Sequence, residues 1–138
     1  HGMNLGGRYV FPFGSVKFVP ALHSSGYEID GVMTYMGEAS GIILEAEDKK
    51  IYHAGDTALF SDMRLFAKDK SIDVAFLPIG DNYTMGPEDA LQAVSYLNPK
   101  ITIPIHYNTF PVIQQNPAIF VEQVVGGKVL NPGETILV

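Results

Sequence analysis

The stretch Lys50-Ile51-Tyr52-His53-Ala54-Gly55-Asp56-Thr57 marks a change in the pattern of the chain. Before it, from about residue 9, short apolar runs separated by polar turns predict one strand after another, which favours an antiparallel arrangement. From Thr57 onward, apolar residues recur with the period of 3.6 that is typical of helices, and fully apolar runs lie between them. The sequence therefore predicts an α/β fold in which antiparallel strands come first, followed by alternating helices and strands.

The individual elements follow from the same patterns. Strands are predicted at 16–19, 32–36, 41–46 and 50–54, with a polar hairpin turn at 47–50 between the last two. Helices are predicted at 58–67, at 87–97 and from 117 to about 125, the last two opening on a proline. The buried strands are predicted at 74–79 and 101–105, and an edge hairpin at 129–138 around an Asn-Pro-Gly turn.

Length and charge limit the organisation and the partners. A chain of 138 residues that is 46% hydrophobic has the size of one domain, so we expect a single unit at 1–138. The net charge of −6 and the pI of about 5.0 argue against binding to nucleic acid or to an anionic membrane surface. A small-molecule substrate is the partner that this composition favours.

The chain contains no cysteine, which excludes disulfides and thiolate metal ligands. Any metal would be bound by imidazole and carboxylate groups, a ligand set that suits zinc, manganese or iron. No apolar stretch reaches the roughly 18 residues that a membrane span needs, and the first residues do not resemble a signal peptide. These features predict a soluble, cytoplasmic protein.

Three polar residues follow directly on apolar, strand-like runs: His23, Asp56 and His106. The ends of strands are where an α/β sheet places its chemistry, and two imidazoles with a carboxylate suggest a metal site. Each residue also has a structural interpretation. Asp56 or Thr57 could cap a helix, and a histidine at a strand end is often only hydrogen-bonded. The presence of all three favours the metal site.

Four further residues are candidates for supporting roles. His53 lies within a predicted strand and is interpreted either as an outer partner of the metal ligands or as a structural residue. Asp81 and Asn82 follow the strand at 74–79 and could orient a water or the substrate, or simply form a turn. Asn108 lies beside His106 and is a candidate catalytic residue, because its amide could donate a hydrogen bond to an oxyanion.

The segments Pro20-Ala21-Leu22-His23-Ser24, Gly55-Asp56-Thr57 and Pro104-Ile105-His106-Tyr107-Asn108-Thr109 resemble the last three of the five metal-binding motifs of the metallo-β-lactamase superfamily. The branch they resemble contains metal-dependent hydrolases related to ascorbate-phosphate lactonases and N-acyl-phosphatidylethanolamine phospholipases. The segment 78–87 is also similar to that branch.

The resemblance implies a fold, a site and a reaction. The fold would be part of a four-layer αββα sandwich. His23 would bind one divalent metal, His106 would bind a second, and Asp56 would bridge them. The two ions, expected to be zinc with manganese or iron as alternatives, would hold a hydroxide that attacks an ester, lactone, phosphodiester or amide. Asp56 would therefore also be catalytic.

The sequence departs from the family pattern in one respect. The family's His-x-His-x-Asp-His motif precedes these segments, and His1 is the only histidine before His23. We expect the chain to be the carboxy-terminal half of the sandwich, present either as a truncated product or as part of a longer chain. With two ligands for each metal, it should be weakly active or inactive alone. The sheet face that the other half covers would then be exposed, which predicts a homo-oligomer.

Two alternatives belong to other classes of protein. A mononuclear iron oxygenase also uses two histidines and a carboxylate, although the predicted layered α/β fold does not favour it. A non-catalytic domain that oligomerises, with His23, Asp56 and His106 as relics, would need none of the three side chains for any measurable property.

Overall fold

The computed structural model describes residues 1–138 and contains eight strands and two α-helices. The strands are β1 (Arg8–Phe11), β2 (Gly14–Pro20), β3 (Gly26–Ile29), β4 (Val32–Tyr35), β5 (Ser40–Ala46), β6 (Lys49–His53), β7 (Val74–Pro78) and β8 (Ile101–Ile105). The α-helices are α1 (Pro87–Leu97) and α2 (Pro117–Glu122), and 3₁₀ helices span Ser61–Ala67 and Pro111–Ile113. No helix is long and apolar enough to cross a membrane.

Six of the strands form one sheet in the order β1-β2-β5-β6-β7-β8, and β3 pairs with β4 in a separate hairpin. The pairing is antiparallel from β1 to β6 and parallel from β6 to β8. This arrangement confirms the predicted α/β fold, with antiparallel strands first and alternating helices and strands after them. Tight turns join β1 to β2 and β5 to β6, which requires antiparallel pairing, and helical crossovers join the later strands, which allows parallel pairing.

One face of the sheet carries the hydrophobic core. The side chains of Tyr52, Ala75 and Leu77 on this face are fully buried. The 3₁₀ helix Ser61–Ala67 and α1 pack in the same cluster through residues that include Met63 and Leu97. The buried residues of α1 lie on one side of the helix, and that side packs against this face of the sheet.

The opposite face of the sheet is apolar as well. Strand pairing places Phe18, Ile42, Ile51 and Phe76 on it, since cross-strand partners share a face. These four side chains are at least partly exposed, whereas Val74 and Ile103 on the same face are buried where the segment 130–138 lies over β7 and β8. A sheet with two apolar faces belongs to a layered architecture in which both faces are covered.

Three predicted elements differ from the structure. Residues 58–60 are not helical, and the following turn is 3₁₀ rather than α, starting at Ser61 without a side-chain cap. Helix α2 ends at Glu122 instead of near residue 125. Residues 129–138 form the expected turn, in which the Glu134 amide donates to the Asn131 carbonyl at 3.0 Å, but no hairpin strands. Pro132 has no amide hydrogen to donate to a strand partner, which weakens pairing there.

Candidate metal centre

The loops that follow β6, β7 and β8 lie side by side at one edge of the sheet. Asp56 follows β6, Asp81 follows β7 and His106 follows β8 directly. These three strands are parallel, so their carboxyl ends meet at the same edge. Open α/β sheets bind their ligands at this edge, and the candidate residues were predicted to lie there.

Asp56 and His106 face each other across this edge. His106 Nε2 lies 3.6 Å from Asp56 Oδ2, which is too long for a good hydrogen bond. Two ligands of one tetrahedral zinc, each bonded at about 2.0–2.1 Å, are about 3.3 Å apart, so the observed spacing is close to that of a shared metal. The Asp56 side chain is 50% exposed and that of His106 is 22% exposed. The carboxylate and the imidazole therefore fit a divalent metal that is reached from solvent.

The position of His106 depends on a close approach between two loops. His106 has a positive φ of 55°, a conformation that few residues other than glycine and asparagine adopt. Its ring and carbonyl pack against Gly80, where a Cβ atom would lie 3.2 Å from His106 Nδ1 and would overlap the His106 carbonyl oxygen. Nδ1 is buried without a hydrogen-bond partner, and Nε2 is the nitrogen that faces Asp56.

His23 lies in the loop after β2 and is exposed to solvent. Its Nδ1 is 2.7 Å from the Ser24 carbonyl, and because a carbonyl only accepts, Nδ1 is the protonated nitrogen. The lone pair on Nε2 is then free to bind a metal, as in ligating histidines whose other nitrogen donates to an acceptor.

Asp56, His106 and His23 do not form a single cluster, because the chain contains no group of three or more His, Asp or Glu side chains placed to hold a metal. Asp56 and His106 meet, whereas His23 stays outside the pair. β5 lies between β2, which precedes His23, and β6, which precedes Asp56, so strand pairing does not bring these two residues together.

His53 supports the turn that carries Asp56. Its Nδ1 accepts a hydrogen bond of 3.1 Å from the Gly55 amide, and its ring stacks on Phe76 with the ring centres 5.6 Å apart. Burial against the sheet lowers the pKa of the imidazole, while the nearby Asp56 carboxylate acts in the opposite direction. The neutral ring can therefore keep accepting the Gly55 hydrogen bond at neutral pH.

Asp81 and Asn82 form a tight turn after β7. Both residues have a positive φ, 63° and 51°, and the Asn82 amide donates to Asp81 Oδ1 at 2.8 Å. Both are exposed. Asn108 is also left-handed, with φ 61°, and its Oδ1 accepts a 2.8 Å bond from the Gln115 amide. The Asn108 Nδ2 group is the part of that side chain left to donate to a substrate.

A cleft of about 620 Å³ opens beside His106. Its floor is apolar and includes Phe76 and Ile103, while Asn108 and Glu134 are among its polar lining residues. The pKa of the Glu134 carboxyl is lowered because it accepts hydrogen bonds from Asn131, so it is ionised at neutral pH. The cleft has the size of a small-molecule site.

Two residues of the site were not singled out in the sequence. Gly80 was not among the candidate residues, although a glycine directly after a buried strand is a signal of close backbone approach. Thr57 was interpreted as a possible helix cap, but the structure buries it completely and its hydroxyl accepts a bond from the Leu22 amide in the loop after β2. Neither role can be read from one sequence, because both depend on contacts between distant segments.

The sequence and the fold both match known proteins. A family model described as "Beta-lactamase superfamily domain" matches residues 1–107. A UPF0173 metal-dependent hydrolase of Enterococcus faecalis is 97% identical over 138 residues, which are 100% of this chain and 62% of that protein. A UPF0173 metal-dependent hydrolase of Bacillus thuringiensis is 56% identical over 140 residues, covering 99% of this chain and 62% of that protein. The chain thus spans about three fifths of the length of these relatives.

A solved structure shows the same relationship. Igni18, a novel metallo hydrolase from the hyperthermophilic archaeon Ignicoccus hospitalis, superimposes with a TM-score of 0.85 and is 37% identical. The match covers 99% of this chain and 59% of that one. The family model covers most of the chain, and the relatives are similar along nearly all of it. The chain therefore belongs to the metallo-β-lactamase superfamily, in which the proteins it resembles are metal-dependent hydrolases.

Proposed function

We propose that this chain supplies part of a hydrolytic metal centre in which Asp56, His106 and His23 are metal ligands. The observation that carries the proposal is the 3.6 Å approach of His106 Nε2 to Asp56 Oδ2 at the carboxyl edge of the sheet. An imidazole and a carboxylate that face each other at this distance, beyond a good hydrogen bond, have the spacing of two ligands of one ion. The high identity to metal-dependent hydrolases supports the same function.

The proposed site has two divalent metals. Asp56 would help to hold both ions, because a carboxylate has two oxygens and the other two candidate ligands lie in different loops. His106 would hold one ion through Nε2, and His23 would hold the other through the Nε2 that its bond to Ser24 leaves free. Zinc is the expected metal, with manganese and iron as alternatives of similar ligand preference. When bound, such ions activate water as a nucleophile at neutral pH.

The chain's own groups bind and orient the substrate. We place the substrate in the cleft beside His106, where Asn108 Nδ2 donates a hydrogen bond to the oxygen that becomes negative during hydrolysis. The bond from Gln115 to Asn108 Oδ1 fixes the amide, so the donor is already oriented before the substrate binds. An ester, lactone, phosphodiester or amide is the substrate class consistent with this site.

The remaining metal ligands are proposed to come from outside this chain. A catalytic zinc has at least three protein ligands, and the pair formed here provides two for one ion. The relatives are longer than this chain, which covers 62% of their length. We infer that a further part of the whole protein completes the site and covers the second apolar face of the sheet. The isolated chain should then be weakly active or inactive and should self-associate through that face.

Metal content tests the proposal directly. The 138-residue chain and the full-length Enterococcus faecalis relative, carrying this sequence over its matched region, are purified and analysed for zinc, manganese and iron. We expect about two metals in the full-length protein and a weaker or partial content in the isolated chain. His106→Ala and Asp56→Asn should each lower the content of the full-length protein. His1→Ala, which removes a histidine that stacks on Tyr9, is the matched control and should leave it unchanged.

Activity on a panel of esters, lactones, phosphodiesters and amides, measured in the same full-length variants, tests the reaction. Metal that stays at the parental level in both ligand variants would refute the assignment of Asp56 and His106. Retention of metal with no hydrolysis of any panel member, but with oxidation under oxygen and reductant, would favour the oxygenase instead.

A further inference from the structure

Thr57 joins three loops of the candidate metal centre. Its side chain is fully buried, directly after Asp56. Thr57 Oγ1 accepts a hydrogen bond of 2.9 Å from the Leu22 amide and donates one of 2.8 Å to the Ala58 carbonyl. The Thr57 carbonyl accepts a 2.9 Å bond from the Met85 amide. One residue therefore connects the loops that follow β2, β6 and β7.

The connection to the first of these loops is reciprocal. The Ala58 amide donates to the Leu22 carbonyl at 2.9 Å, so both backbone groups of Leu22 are bound to the segment 57–58. Leu22 immediately precedes His23, and Thr57 immediately follows Asp56. His23 and Asp56 are therefore each adjacent in sequence to a residue of the two hydrogen bonds that join Leu22 to the segment 57–58.

We propose that Thr57 is a positioning residue of the metal centre, which fixes the His23 loop relative to Asp56. The inference rests on the proposed function, because it assumes that His23 and Asp56 are ligands. β2 and β6 are not neighbours in the sheet, so strand pairing alone does not set the distance between the loops that follow them. The Thr57 hydroxyl makes a bond that pairing does not provide.

A hydroxyl is the group that this position requires. It must accept from Leu22 and donate to Ala58 at the same time, within a fully buried site. Valine has the same shape but can do neither, which leaves the Leu22 amide unpaired. Serine keeps both bonds and loses only a methyl group. Removing a group that orients metal ligands typically lowers metal affinity by about 10–100-fold, the loss we expect for valine.

The test compares Thr57→Val, Thr57→Ser and Thr57→Ala, with the exposed Thr135→Val as control. All are made in the full-length Enterococcus faecalis relative carrying this sequence over its matched region. Hydrogen exchange of the Leu22 amide is measured on metal-free protein. Zinc affinity is measured by competition with a chromophoric chelator, and far-UV circular dichroism reports folding.

We expect Thr57→Val and Thr57→Ala to speed exchange at Leu22 and to weaken zinc binding by about 10–100-fold. Thr57→Ser and the control should keep both properties within about threefold of the parent, since the bonds remain. Parental zinc affinity in folded Thr57→Val would overturn the inference, whatever the exchange rate. If the valine and alanine variants do not fold, the serine variant decides: parental exchange and affinity support the inference, and loss of either overturns it.

The failure of the proposed function gives a different result. In that case the parent itself binds no zinc, and Thr57 cannot position a metal centre. Faster exchange at Leu22 in the metal-free valine and alanine variants would then still show that the hydroxyl holds the two loops together. If the parent binds zinc and Thr57→Val binds it equally tightly, the positioning role of Thr57 is refuted while the proposed metal centre stands.

Discussion

The substitution Gly80→Ala tests the close approach that places His106. A Cβ atom at this position would lie 3.1 Å from the Ile113 Cβ and 3.2 Å from His106 Nδ1, and it would overlap the His106 carbonyl oxygen. None of these atoms is the end of a flexible side chain. The loop that carries His106 must therefore move away from β7 to accommodate a methyl group.

The size of the effect follows from two opposing terms. Forcing a methyl group into a packed site costs about 1–3 kcal/mol. Gly80 does not have a positive φ, so alanine can adopt its backbone conformation. Alanine also has less conformational entropy than glycine in the unfolded chain, which stabilises the folded state by about 0.4–1 kcal/mol. The difference spans about 0–2.6 kcal/mol, and the overlap with a backbone oxygen favours the upper part of that range, about 1–2.6 kcal/mol. Displacing His106 by a fraction of an ångström or more exceeds the tolerance of about 0.2 Å in metal–ligand distances. We therefore expect zinc affinity to fall by more than the stability loss alone explains.

Urea unfolding and zinc competition titration, both on the full-length relative carrying the substitution, measure the two effects. Gly2→Ala is the matched control, since a Cβ atom at Gly2 has no neighbour within 4 Å and φ is not positive there. Unchanged stability together with unchanged zinc affinity in Gly80→Ala would refute the reasoning. Lost stability with parental affinity would show that His106 is not a ligand, or that its loop adjusts without moving the ring.

The remaining predictions concern acid stability and self-association. The pKa of the buried Asp73 carboxyl is lowered, chiefly by the 2.7 Å hydrogen bond that Lys100 Nζ donates to it. The ionised carboxylate therefore stabilises the fold above the ordinary pKa of aspartate, and this stabilisation is lost as the pH falls through the lowered pKa. Asp73→Asn should flatten that acid limb of stability, measured as urea midpoints between pH 5 and pH 2; an unchanged slope would contradict the ion pair. The isolated chain should scatter light as a dimer or larger species, because the second sheet face is apolar, and a monomer at high concentration would argue against this.

Local sequence signals predicted the fold best where they agree with the packing. Helix α1 begins at Pro87 and ends at Leu97 as expected, because proline suits the first turn and Asn98 adopts the left-handed C-cap conformation. The buried strands β7 and β8 were predicted because they are continuous apolar runs. The segment 58–67 was less predictable. Its apolar spacing fits an α-helix, but the Thr57 hydroxyl that could have capped it bonds to another loop, and the chain is extended at Phe60.

The candidate site was predictable in its residues and less so in its geometry. Asp56 and His106 were placed correctly at the sheet edge, since polar residues after buried strands mark that edge. Their separation, the outlying position of His23 and the contact at Gly80 depend on how loops far apart in sequence pack together. Those distances depend on the order of strands in the sheet and on hydrogen bonds between loops, and periodicity reveals neither.

The change from antiparallel to parallel pairing at β6 has a consequence for the order in which the site assembles during folding. Strand β6 pairs with β5 across the short turn at Glu47 and Asp48, whereas β7 and β8 must each return through a helical crossover before they can pair. Contacts between residues close in sequence form sooner, because less chain entropy is lost in closing the loop. The turn with Asp56 should therefore take shape early and the partner imidazole should arrive last, so that metal capture follows the folding of the sheet instead of directing it.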